Sequence, residues 1–223
     1  MTPLIIGLAI AATIVLAATL QRSGRQARTD FIDQYAFPRG IRERVRKRYP
    51  HLTDSDLDLV FSALREYFHL SRKAGRRMLA MPSQVVDVAW HEFILFTRNY
   101  DAFCAKALGR FLHHTPTEAM PSRTSASDGI KRTWRLACNR AGIDPRAASA
   151  LPLLFAIDGQ LAIADGFRYA LNCTALGAAG SQASYCASHI GCGGGCGSGC
   201  SGSGCGGDSG GGDGGGCGGG GGD

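Results

Sequence analysis

Residues 81–114 read MPSQVVDVAWHEFILFTRNYDAFCAKALGRFLHH, and this stretch decides the fold. Val86, Trp90, Phe93, Thr97, Tyr100 and Cys104 recur at steps of three and four. That spacing predicts one helix of about six turns with these residues on a single buried face. Ser83 is placed to cap it, because its hydroxyl can accept from a free amide of the first turn. Pro82 stops any preceding helix, and Gly109 ends this one. Asp87 and His91 are four apart and therefore neighbours on an adjacent strip. His113 and His114 follow the stop within a few residues.

Upstream, Pro50-His51-Leu52 breaks the chain before a second helix. Thr53 or Ser55 can cap it, and Asp54, Asp56 and Asp58 sit favourably near its positive end. Leu57, Val60, Leu64 and Phe68 form its buried face, with Phe61 beside them, and Gly75 ends or bends it. Arg72, Lys73, Arg76 and Arg77 read as a solvated surface.

The run VDVAWHEFILFTRNYDAFC…GRFLHHTP resembles a motif of uncharacterised bacterial membrane-anchored proteins, marked by WH, FC and HH. The likeness covers roughly residues 37–116, including YPHLTDSDLDLVFSALREYF. More loosely, the chain is similar to the glycine-rich-domain-containing proteins of plants. The resemblance implies no established reaction, so chemistry must be read from the residues.

Residues 3–20, PLIIGLAIAATIVLAATL, carry no charge. Eighteen residues at ~1.5 Å each reach about 27 Å, enough for a thin bilayer core. A cleaved secretory signal would place basic residues before a shorter apolar run. Here Arg22, Arg25 and Arg28 come after it, so the positive-inside rule puts the remainder in the cytoplasm. Residues 21–50 hold nine Lys or Arg and three Asp or Glu, a net of +6 that equals the excess of the whole chain. Charge is thus concentrated beside the membrane, where anionic lipid attracts it. No zinc-finger or RNP motif accompanies it, so no nucleic-acid partner is expected.

Beyond the loop TPTEAMPSRTSAS, a shorter helix is expected from about Gly129 to Ala141, with Ile130, Trp134, Ala137 and Cys138 inward and Gly142 as its stop. LPLLFAIDGQLAIADG then reads as a hairpin near 153–163, turning at Asp158-Gly159. Residues 191–223 are 21 Gly, 5 Cys, 4 Ser and 3 Asp, which cannot bury enough surface to order themselves.

Two clusters could carry chemistry. His91, His113 and His114, with Asp87 and Cys104 nearby, offer the imidazole, carboxylate and thiolate ligands that zinc or another transition metal takes. Asp87 could equally orient the His91 ring. The spacing is not HExxH, since position 95 is Leu. The same residues also admit structural roles: Trp90 and Cys104 lie on the apolar stripe, and His113-His114 can cap a helix end. A Cys104–His nucleophile would need an exposed, electropositive thiol, which the stripe argues against. There is no GxSxG and no P-loop lysine. In the tail, Cys192, Cys196 and Cys200 repeat at every fourth residue and could gather a soft metal such as Zn²⁺, although glycine preorganises nothing.

The expected organisation is mainly α: a transmembrane anchor (1–21), a basic juxtamembrane segment (22–50), a helical domain with a hairpin (51–172) and a disordered Gly/Cys-rich tail (173–223). The expected function is that of a single-pass cell-membrane binding or scaffold protein, non-enzymatic and metal-associated, contacting lipid through residues 3–20 and the basic segment, with room for a protein partner. The alternative is a metal- or Cys/His-dependent enzyme using His91 and the HH pair.

Overall fold

The computed structural model describes residues 2–114, 123–171, 185–186 and 190. Seven helices lie among them: α1 (Thr2–Gln34), α2 (Arg39–Arg48), α3 (Asp54–Ala74), α4 (Gln84–Leu95), α5 (Thr97–Leu108), α6 (Arg123–Ala141) and α7 (Leu153–Gln160). A two-residue parallel pairing joins β1 (Tyr169–Ala170) to β2 (Tyr185–Cys186).

α3 is central, touching α1, α2, α4, α5, α6 and α7. Its start is a capping box. The Thr53 hydroxyl accepts from the Asp56 amide at 3.2 Å, and the Asp56 carboxylate accepts from the Thr53 amide at 2.8 Å. Leu57, Val60, Leu64 and Phe68 are buried, as their spacing predicts, and Gly75 ends the helix with φ +64°. Around Phe68 lies an aromatic cluster in which Phe103 packs at 4.6 Å and Phe93 at 6.2 Å, ring centre to ring centre. Each such ring withdrawn from water contributes roughly 1.5–3 kcal/mol.

α1 is long and apolar enough over Ile6–Gln34 to cross a membrane. Ile6, Leu8, Ile14 and Leu20 stand exposed along its first half, whereas Ile32 near its end is fully buried. The basic segment 22–50 accordingly feeds the core, giving it Ile32, Ile41, Val45 and Tyr49.

Two expectations are corrected. Residues 81–114 do not form one continuous helix: the chain breaks at Phe96 (φ −83°, ψ 61°) between α4 and α5. There the Phe96 ring turns onto α2, close against Gly40 and 5.5 Å from the Arg44 guanidinium. The break resets the helical face, so Val86, Trp90, Phe93, Tyr100 and Cys104 are all buried while Thr97 is exposed.

The hairpin near 153–163 is the second correction. Leu153–Gln160 is helix α7, and Asp158-Gly159 lies inside it. A short apolar run fits a buried helix as well as a strand, and here the side-chain demands of Asp158 settle the matter. Its buried carboxylate accepts from the Ser83 hydroxyl (2.7 Å) and from the amides of Gln84 (2.7 Å), Val85 (3.2 Å) and Phe167 (2.8 Å). Three of these four donors belong to the start of α4, whose positive end favours the negative group.

α6 begins at Arg123, six residues before the expected Gly129. Trp134, Ala137 and Cys138 are buried as expected, and Gly142 follows with φ +70°. The tail thiols Cys192, Cys196 and Cys200 lie outside the described residues.

Candidate metal centre

α4 supplies the first half of the site. Ser83 caps it, its hydroxyl accepting from the Val86 amide at 3.3 Å while donating to Asp158. One turn later Asp87 and His91 project together, with Asp87 Oδ2 3.2 Å from His91 Nδ1. The second half arrives from 27 residues on. α5 stops at Gly109, whose left-handed φ of +68° turns the chain back. Leu112 then buries its side chain, and its carbonyl accepts from the Tyr100 hydroxyl. That hydroxyl in turn accepts from the Trp90 indole N–H at 3.1 Å. Trp90, Tyr100 and Leu112 thus tie the returning strand of chain to both helices.

His114 is the residue so delivered. Its Nε2 lies 2.9 Å from Asp87 Oδ1, and its ring stands edge-on to Trp90 at 4.6 Å and 3.9 Å from the ring of His91. One ligand atom from each of Asp87, His91 and His114 falls within 4.8 Å of the others. Bonds of about 2.0–2.1 Å to a tetrahedral zinc would place two ligand atoms about 3.4 Å apart, so the set must draw together to hold one. The His91 side chain is half exposed and can rotate to allow this, whereas the His114 side chain is only 12 % exposed and held by Trp90.

Two other expected ligands lie elsewhere. His113 is exposed and its ring packs on Phe111 at 4.8 Å, beside a cavity of about 150 Å³ shared with Tyr67, Ser71 and Arg110. Cys104 is fully buried, and burial pushes its thiol pKa up. Burial of this kind disfavours the thiolate that a nucleophile needs.

A family-model comparison matches the chain over residues 27–190 to a family described as UCP032817-like. The chain belongs to the UCP032817-like family. The matched region holds Asp87, His91 and His114 together with Asp158, and it starts beyond the apolar run of residues 3–20. Comparison with curated proteins and with solved structures finds no match.

Sequence reasoning missed two supporting residues of this UCP032817-like domain. Asp158 sets the start of α4 and so the position of Asp87. The signal was present: it is the one acid in a ten-residue apolar stretch, and a charge there needs a buried set of donors. Spacing places Tyr100 only on the apolar stripe, yet its hydroxyl bridges Trp90 to Leu112.

Proposed function

We propose that the protein is a single-pass membrane protein whose helical domain binds a transition metal through Asp87, His91 and His114. The observation carrying this reading is the convergence of one carboxylate and two imidazoles, within 4.8 Å, from segments 27 residues apart. Imidazole nitrogen suits zinc and its neighbours, and a mixed nitrogen and oxygen set excludes neither zinc nor iron. The role is non-enzymatic: a metal-stabilised binding domain held at the membrane by α1, with its basic exit segment against anionic lipid. Arg22, Arg25 and Arg28 follow the apolar run, which supports a cytoplasmic domain. A reporter fused after Asp223 would then be active only in its cytoplasmic form.

The test is metal analysis of the full-length chain purified in detergent, with the tail cysteines replaced by serine. About one metal per chain is expected. Asp87→Asn, His91→Ala and His114→Ala should each lose it, and His113→Ala should keep it. A parent chain free of bound zinc, iron, copper and nickel after reconstitution would overturn the reading.

A second reading is favoured by the number of ligands. Three protein ligands with a half-exposed His91 leave a coordination position for water, as in hydrolytic zinc centres. Hydrolysis of activated esters or phosphodiesters by the metal-loaded chain, lost in His91→Ala, would favour the enzyme.

A further inference from the structure

A cleft of about 910 Å³ lies where α1 leaves its apolar stretch, between α1, α3, the end of α5 and α6. Gln21, Gly24, Arg25 and Arg28 line it from α1. His69, Leu70, Arg72 and Lys73 line it from α3, with Arg140 from α6. No carboxylate is among the lining residues. Among the described residues, none of Arg25, Arg28, Arg72, Lys73 and Arg140 pairs with an acid. Asp33, close by, is taken by His69 Nε2 at 2.6 Å.

Two of the cations, Arg72 and Arg28, are held in place. Arg72 donates to the Thr29 hydroxyl at 2.7 Å and to the Arg25 carbonyl at 3.3 Å, both on α1, while its Nε is buried without a partner. His69 is also buried, and its Nε2–H donates to Asp33. The Arg28 guanidinium is lodged against Gly109, whose missing side chain makes room for it. Burial first, and then the charges of Arg28, Arg140 and Arg25, depress the Arg72 pKa. Like charges gathered at a cleft with no acid among them, above the buried and unpartnered Nε–H of Arg72, favour an anion.

We propose that this cleft binds a phosphate group, carried on the headgroup of an anionic phospholipid, with Arg28, Arg72, Lys73 and Arg140 as its cationic partners. Guanidinium forks match phosphate oxygens two at a time, which favours phosphate over a single carboxylate. The cleft is far larger than one phosphate, leaving room for the rest of a headgroup. Position points to lipid as the source. Gln21 and Gly24 lie within about 6 Å of the end of the apolar run, the depth of the headgroup layer. The lipid source rests on the membrane reading above; the phosphate site does not, and neither depends on the metal centre.

The experiment uses the full-length chain with vesicles of mixed phosphatidylcholine and phosphatidylglycerol, and native mass spectrometry of the lipid retained after extraction. Phosphatidylglycerol should be enriched about tenfold. The double substitution Lys73→Gln and Arg140→Gln should remove most of that enrichment. Neither residue donates a hydrogen bond within the described structure, so a melting curve should show the fold intact. In lipid-free detergent, inorganic phosphate should raise the Tm of the parent but not of the double variant. A response to inorganic phosphate without lipid preference would keep the phosphate site and overturn lipid as its source. No response in either arm, or enrichment unchanged in the double variant, would overturn the proposal.

Discussion

The indole N–H of Trp90 donates to the hydroxyl of Tyr100 at 3.1 Å, across the break that separates α4 from α5. The same hydroxyl donates onward to the Leu112 carbonyl. One phenol oxygen therefore ties two helices and the segment that carries His114. Tyr100→Phe keeps the ring but strands a buried indole N–H and a backbone carbonyl, each worth about 1–3 kcal/mol when unsatisfied. The expected loss of stability is about 2 kcal/mol by urea unfolding. Metal affinity should fall with it, because His114 loses its anchor; a variant as stable as the parent would show that the hydroxyl carries no such role.

Asp158 should be more sensitive to substitution than Asp87, His91 or His114. Asp158→Ala leaves four donors at the start of α4 and at Phe167 without an acceptor. A cost of at least ~3 kcal/mol is expected. Asp158→Asn should recover part of it, since an amide oxygen still accepts but its NH₂ faces donors. Thermal unfolding of the three proteins ranks them, and equal Tm values for parent and Asp158→Ala would refute the assignment.

The legibility of the chain differed by feature. The α3 cap, the burial of Trp90 and the stop at Gly109 follow from local signals, a side chain of the right type at the right offset, whereas spacing alone does not say that a histidine returns toward His91. The break at Phe96 was not legible, because it depends on space left by Gly40 on another helix. The hairpin reading of α7 fails because Asp158-Gly159 is a turn pair by composition, while three of the four donors that hold Asp158 sit 73 to 75 residues upstream. Within the histidine pair, spacing could not say which ring faces α4. The choice falls to Leu112: once its side chain is buried, His113 points to solvent and His114 to Trp90 and Asp87.

His69 gives the fold a pH dependence. Burial lowers its folded pKa, Arg140 and Arg72 lower it further, and the bond to Asp33 opposes them. The folded state therefore resists protonation, while the unfolded chain takes a proton near pH 6.5. As pH falls through that value the unfolded state binds more protons, so stability declines until the lower folded pKa is reached. Above it the residue contributes no slope. His69→Gln should flatten the decline on the acid side in anion-free buffer, followed by urea unfolding between pH 7.5 and about 5. An unaltered slope would assign the pH dependence to another group.

Gly109 couples the turn to the candidate metal centre. Its φ of +68° is left-handed, and a Cβ there would come 2.9 Å from a guanidinium nitrogen of Arg28. Gly109 also closes α5, its amide shared between the carbonyls of Cys104 and Ala105 at 3.1 Å each. For an L side chain the left-handed region costs roughly 1–2 kcal/mol. Arg28 is flexible and can yield, so backbone strain rather than contact should dominate in Gly109→Ala. The chain can relieve that strain by opening the turn, which carries Leu112 off its seat and His114 away from Asp87. Gly109→Ala is therefore expected to melt lower and to bind zinc less tightly than the parent. Gly109→Asn, which tolerates the left-handed region better, should fall between them. Zinc titration of the three proteins reads this coupling. If Gly109→Ala melts lower yet binds zinc as tightly as the parent, the turn is structural and His114 reaches Asp87 without it.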